Sequence, residues 1–138
     1  MGRDIPLGSA ARCCNDGGVS IRVLVVDDHP GYRSMARRML ATAGFEVVGE
    51  AGTGSEAVAV SARLHPDAVL LDVQLPDLDG FEVSRRLAQQ ASPPAVVLTS
   101  ARSLADYGVQ AVPSAVRGFL PKSEVSGAAL SHLLEARR

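Results

Sequence analysis

The chain has 138 residues, with 14 Lys and Arg against 15 Asp and Glu, a net charge of −1, and 4% aromatic residues without a Trp. That is the size of one domain, able to bury roughly two-thirds of the surface its unfolded chain exposes, and its core must be aliphatic. A basic excess of the kind nucleic acid requires is missing, no apolar run nears the ~18 residues of a membrane span, and Met1 to Ser20 lacks a secretory core, which together predict a soluble cytoplasmic protein.

Residues 1–20 are rich in Gly, Ser and Arg without apolar periodicity. They read as a disordered leader or a non-native extension ahead of a domain over 21–138. Cys13 and Cys14 are adjacent within this leader. That spacing suits neither a mutual bridge nor a metal motif, so they read as solvated thiols in a reducing compartment.

Ile21 to Val26 is an apolar run that stops at Asp27-Asp28, as a buried parallel strand does. A helix follows over about 30–43, with Pro30 in its first turn. Tyr32, Met35, Ala36, Met39, Leu40 and Ala43 share one face, Arg33, Arg37 and Arg38 lie off it, and Gly44 closes it. Phe45 to Glu50 is the second strand. Thr53-Gly54-Ser55-Glu56 has the form of a capping box, opening a helix to about Leu64. Gly52-x-Gly54 lacks the Lys-Ser/Thr of a phosphate loop.

His65-Pro66-Asp67 breaks the chain before a third strand, Ala68 to Leu71. Gly80 opens a helix to about Gln90, Ser92-Pro93-Pro94 punctuates, and a strand runs from Ala95 to Leu98. A helical pattern covers Ser103 to Val112, a strand Val116 to Leu120, and a last helix Glu124 to Arg137. On that helix Val125, Ala129 and Leu133 are placed inward, with Leu130 and Leu134 on the flank. Strands alternating with helices across short loops predict an α/β fold: a doubly wound, five-stranded parallel sheet with right-handed crossovers and helices on both faces.

Four of these strands lead into polar groups: Asp27-Asp28, Asp72 after Val69-Leu70-Leu71, Thr99 after Val96-Val97-Leu98, and Lys122 after Gly118-Phe119-Leu120. Open α/β sheets bind ligands at the carboxyl ends of their strands. Three carboxylates, a hydroxyl and an ammonium there describe a site for a divalent cation and a phosphoryl group. Ser100 directly follows Thr99, and period-2 alternation lets only one of the two face that site.

Asp27-Asp28, Asp72-x-x-x-Pro76-x-x-Asp79-Gly80, Thr99 and Phe119-x-x-Lys122, in that order, resemble the receiver domain of two-component response regulators. The nearest group opens with Val-Asp-Asp-His-Pro, and the likeness runs from Ile21 to the C-terminus. It implies the flavodoxin-like strand order 2-1-3-4-5. It also implies phosphoryl acceptance by Asp72, with Lys122 and Thr99 reaching the phosphoryl oxygens. Mg²⁺ would be held directly by Asp28, Asp72 and the backbone carbonyl of Gln74, and through water by Asp27. Phe119 takes the place of a switch aromatic that is often Tyr. No organic cofactor is implied, and the chain is not expected to be an enzyme beyond its own phosphoryl transfer and dephosphorylation.

The implied phosphoryl donor is a histidine kinase or phosphotransfer protein, for which Arg33 and Arg37 are candidate contacts. Relatives with this opening usually carry a helix-turn-helix domain. The chain stops with the last helix, so the expectation is a stand-alone receiver with output through an unknown protein target, without DNA or membrane binding. The 103–112 helix, fifth strand and last helix form its candidate homodimer surface. Ala115-Val116 stand where this group usually has Gly-Ala, and Pro113 lies just before, so the 103–112 helix should end early. Pro121 precedes Lys122 instead of following it, and no cis peptide is expected there. His29, His65 and His132 are read as a loop residue, a turn residue and a residue of the last helix, without site roles. Two rivals remain: a phosphorylation-independent module of the same fold, and a haloacid-dehalogenase-like phosphatase. The second needs an acid two residues past its nucleophile, where Gln74 stands.

Overall fold

Val23 to Val26, Ala68 to Leu71 and Val96 to Leu98 are all buried, so these segments have no polar face to show to water. Such segments belong in the interior of a parallel sheet covered on both sides. The computed structural model, which describes residues 20–101 and 116–135, places them there. Residues 1–19 of the expected leader and the expected helix at Ser103 to Val112 lie outside the described residues.

The strands are β1 (Arg22–Val26), β2 (Glu46–Ala51), β3 (Ala68–Asp72), β4 (Ala95–Ser100) and β5 (Val116–Pro121), paired in parallel in the order β2-β1-β3-β4-β5. The helices are α1 (Pro30–Thr42), α2 (Gly54–Leu64), α3 (Gly80–Ala88) and α4 (Gly127–Glu135). This is the doubly wound, flavodoxin-like α/β fold. Strand alternation separates two cores. Val25, Leu70 and Val97 pack with Ala36 and Leu40 of α1 and Leu130 of α4. Leu24, Leu71 and Leu98 pack with Ala57 and Val60 of α2 and Phe81 and Leu87 of α3. Hence α1 and α4 cover one face, and α2 and α3 the other.

Local chemistry sets the helix ends. Gly44 follows α1 with a φ of 98°, a left-handed conformation that a side chain would oppose. Thr53 accepts from the Glu56 amide at 3.1 Å, and the Glu56 carboxylate accepts from the Gly52 amide at 2.9 Å. The reciprocal bond of the capping box thus lands one residue before the cap. Asp79 caps α3 by accepting from the Glu82 amide at 2.8 Å.

The C-terminal helix departs from expectation. Lys122–Glu124 is a single 3-10 turn, Val125 is extended, and α4 begins at Gly127. The Ser126 hydroxyl accepts from the Ala129 amide at 3.0 Å and so caps the helix. Gly127 lies against Ala43, leaving no room for a Cβ. The later start turns the helix so that Leu130, placed on the flank from sequence, is buried in the core at 1% exposure. Val125, Leu133 and Leu134 are only partly buried around it. Leu130 therefore offers no surface to a partner. Leu130→Ala is expected to destabilise the fold by about 2–5 kcal/mol, since apolar burial is lost and a cavity is left behind. Urea unfolding checks this; an unchanged midpoint would return Leu130 to the surface.

Candidate functional site

The carboxyl ends of β1, β3, β4 and β5 bring Asp27, Asp72, Thr99 and Lys122 to one edge of the sheet. Asp27 continues β1, its amide donating to the Ala51 carbonyl at 3.0 Å. Asp72 is the last residue of β3 and is 4% exposed. Register pairs Asp72 with Thr99, and the Val73 amide donates to the Thr99 carbonyl at 2.9 Å. Alternation from Val25, Leu70 and Val97 puts Asp27, Asp72 and Thr99 on the α1/α4 face. Ser100 falls on the opposite face.

Lys122, at the start of the 3-10 turn, extends its ammonium to 2.5 Å from an Asp27 oxygen and 3.3 Å from Asp72. The same ammonium stands 4.6 Å from the centre of the Tyr32 ring in α1, a cation–π contact that fixes its approach. Asp28 is half-exposed beside the pair. His29, at the N-cap of α1, donates its backbone amide to Asp27 Oδ1 at 2.8 Å. Its Nδ1 lies 3.1 Å from Asp27 Oδ1 and 3.0 Å from Asp28 Oδ1. Gln74 is exposed just past β3, its amide donating to Asp72 at 3.2 Å.

Phe119 is placed differently from the other groups. It pairs in register with Leu98 and packs on the α2/α3 face, whereas Thr99 pairs with Leu120. Thr99 and Phe119 are thus on opposite faces of the sheet.

Burial raises the Asp72 carboxyl above its ordinary pKa, opposed by the Gln74 amide and the Lys122 charge. The two carboxylates in turn raise Lys122 against the opposite pull of its burial. Three carboxylates with ligand atoms within 4.8 Å of one another, one of them strongly desolvated, form an oxygen-rich set that suits a hard divalent cation.

Other contacts were not legible in advance. Arg33, read from its helical position as surface, is partly buried. It donates to the Asp27 carbonyl at 2.5 Å and to Glu50 at 3.1 Å, and Arg37 meets the other Glu50 oxygen at 2.6 Å. Asp77, in the loop after β3, accepts from the Gly54 and Ser55 amides at 2.7 and 2.9 Å. These bonds hold its carboxyl well below the usual range and tie the loop to α2. Helical spacing could have flagged Arg33 and Tyr32, one turn past the acidic pair; nothing local pointed to Asp77.

The sequence pattern of the response regulator receiver domain matches residues 23–134. The chain belongs to this family. The receiver is 35% identical over 119 residues to the response regulator GacA of Pseudomonas viridiflava, covering 86% of this chain and 54% of that protein. It is also 35% identical to a putative transcriptional regulator of Pseudomonas aeruginosa, covering 75% of this chain and 50% of that one. A protein-glutamate methylesterase/protein-glutamine glutaminase of Hahella chejuensis is 42% identical, but over only 24% of its own length. The receiver therefore spans about half or less of the curated relatives it matches.

Among solved structures, the signal receiver domain of the putative response regulator NarL from Mycobacterium tuberculosis superposes with a TM-score of 0.73 at 33% identity, covering 84% of this chain and 98% of that one. The receiver domain of the Pseudomonas aeruginosa sensor histidine kinase PA1611, solved with a magnesium ion in its active-site cleft, has a TM-score of 0.72 at 25% identity, covering 86% and 97%. The family is one of signalling switches, and this receiver has the acidic, Mg²⁺-type pocket of phosphate-accepting members. No described helix is long and apolar enough to cross a membrane.

Tyr32 reports on this pocket. Its burial, with Asp27 and Asp72 nearby, pushes its phenol up to about 12 from an ordinary 10.0. The folded pKa is the higher one, so this stability is fully present below pH 10 and is lost as pH rises through about 12. A difference absorbance titration of wild type against Tyr32→Phe should show a phenol ionising near 12, and urea midpoints should fall less steeply in the variant above pH 10. A Tyr32 phenol that ionises near 10 would show that neither burial nor the carboxylates act on it.

Proposed function

We propose that Asp72 accepts a phosphoryl group from the phosphohistidine of a histidine kinase or phosphotransfer protein, in an Mg²⁺-dependent reaction. The observation that carries this reading is the Asp72 carboxylate at the end of β3, flanked by Asp27 and beneath the Lys122 ammonium. An Asp72 oxygen attacks phosphorus as the phosphorus–nitrogen bond of the donor breaks, leaving the imidazole with the bonding pair. Mg²⁺, when bound, neutralises charge on the phosphoryl oxygens and the carboxylates. Lys122 swings from Asp27 toward the incoming oxygens, and Thr99, opposite Asp72, donates its hydroxyl to one of them. Phe119 then responds through the movement of β4 and β5, and the altered surface is read by a protein partner. A homodimer through the 103–112 segment, β5 and α4 is one form of that output, although the 103–112 segment lies outside the described residues.

The metal roles divide by what each carboxylate already holds. Asp27 is engaged by Lys122 and the His29 amide, which suits a contact through water. Asp28 is open to solvent and suits direct ligation, with Asp72 and the Gln74 carbonyl. Acetyl phosphate with Mg²⁺ should load one phosphoryl group per chain, and loading that ignores Mg²⁺ would overturn the reading. Asp28→Ala should weaken Mg²⁺ binding at least ~10-fold, about 1.4 kcal/mol, and slow loading in parallel. Asp27→Ala should weaken it less. A Mg²⁺ titration with the reverse order would exchange their roles.

A further inference from the structure

Lys122 is held in the pocket by two carboxylates and one aromatic ring. Its ammonium lies 2.5 Å from an Asp27 oxygen and 3.3 Å from Asp72. Both carboxylates also belong to the cluster that suits Mg²⁺, so the ammonium and the ion compete for them. The third contact is the face of Tyr32, whose ring centre is 4.6 Å from the ammonium. An aromatic face attracts an ammonium through its quadrupole, but it is no ligand for Mg²⁺, which takes oxygen. We propose that Tyr32 is a positioning residue that keeps the Lys122 ammonium at the pocket once its carboxylate partners are shared with Mg²⁺. This rests on the reading that Lys122 meets the phosphoryl oxygens beside that ion.

The ring is fixed independently of what the pocket holds. It packs against the buried cluster shared by the sheet, α1 and α4. Arg33, the next residue, ties the first turn of α1 to the Asp27 carbonyl and to Glu50. The Tyr32 hydroxyl is buried and has no hydrogen-bond partner among the described residues, so it is the ring that acts on Lys122. Only 17% of the Lys122 side chain is exposed, and a cation–π attraction strengthens as water is removed. The ammonium and a bound dication carry like charge, so with Asp27 and Asp72 shared between them Lys122 would be driven outward. The ring is the contact that this competition leaves intact. From there Lys122 has only to turn toward the incoming oxygens, without being recaptured from solvent.

NMR of the full chain should show the Lys122 ε-methylene protons shifted upfield by the ring, and the shift should persist at saturating Mg²⁺. Tyr32→Leu, which keeps apolar bulk without the ring, should lose the shift; Tyr32→Phe should keep it. At saturating Mg²⁺ and acetyl phosphate, Tyr32→Leu should load roughly threefold more slowly or worse, and Tyr32→Phe should restore the rate. Mg²⁺ affinity in Tyr32→Leu should be unchanged or tighter, since a released ammonium no longer competes for the carboxylates, whereas a merely damaged pocket would bind more weakly. In a Lys122→Ala background, Tyr32→Leu should slow loading no further. An upfield shift that Mg²⁺ abolishes in wild type, or slowing by Tyr32→Leu that persists without Lys122, overturns the proposal. Slow loading by Lys122→Ala beside a wild-type rate in Tyr32→Leu overturns the Tyr32 role alone. A wild-type rate in Lys122→Ala, with the shift kept in Mg²⁺, sinks the reading of Lys122 and leaves the hold of the ring on it standing.

Discussion

Asp72→Ala is expected to lose phosphoryl loading completely. Incubation with acetyl phosphate and Mg²⁺, followed by intact-mass measurement, should leave the variant at its unmodified mass while wild type gains one phosphoryl group. Asp27 is committed to Lys122 and the His29 amide, and the Asp28 carboxylate lies farther out toward solvent, so neither substitutes as acceptor. Asp72→Asn should also fail to load, while unfolding at higher urea than wild type near neutral pH. The sign follows from linkage. A carboxyl whose folded pKa is raised contributes stability at low pH, and that contribution is lost as pH climbs through the folded value. Asn has no such proton to lose. Equal loading in Asp72→Ala would move the acceptor elsewhere and end the proposed mechanism.

Gly80→Ala should damage stability and site together. Gly80 begins α3, and its amide donates to the Val73 carbonyl at 2.6 Å. A Cβ there would stand 2.8 Å from both the Asp72 carbonyl oxygen and the Val73 Cα. Both are backbone atoms, so no side chain can move aside to relieve the contact. The end of β3 would have to shift, and with it the Asp72 carboxylate relative to Lys122. A cost of about 3 kcal/mol is expected from overpacking, with slower loading even where the variant remains folded. Urea unfolding and loading kinetics check the two effects. Wild-type values in both would mean that β3 and α3 approach less closely than described.

The strands and most helix boundaries were legible because their signals are local. Val23 to Val26, Ala68 to Leu71 and Val96 to Leu98 announce buried strands through their own side chains. Thr53 announces a helix start through a bond made within four residues, and Gly80 marks the start that Asp79 proves to cap. The C-terminal helix misled because Val125 extends the apolar spacing of Ala129 and Leu133 back toward Glu124, a pattern compatible with helix. The chain instead turns once and waits for Ser126, and only the seat of Gly127 against Ala43 decides where Leu130 points.

Acidic, hydroxyl and ammonium groups at the ends of separate strands are readable along the chain, since each follows from the apolar run beside it. Tertiary structure decided everything that needs two remote segments at once. Pairing of β3 with β4 selects Thr99 over Ser100 as the neighbour of Asp72. Pairing of β4 with β5 sends Phe119 to the opposite face. Packing of α1 against the sheet puts the Tyr32 ring beneath Lys122 and turns Arg33 onto the Asp27 carbonyl. The folded β3–α3 loop carries Asp77 to the start of α2. Periodicity along a chain tells which side of its own element a residue occupies. It carries no information about register between elements, which the packing of the whole sheet sets.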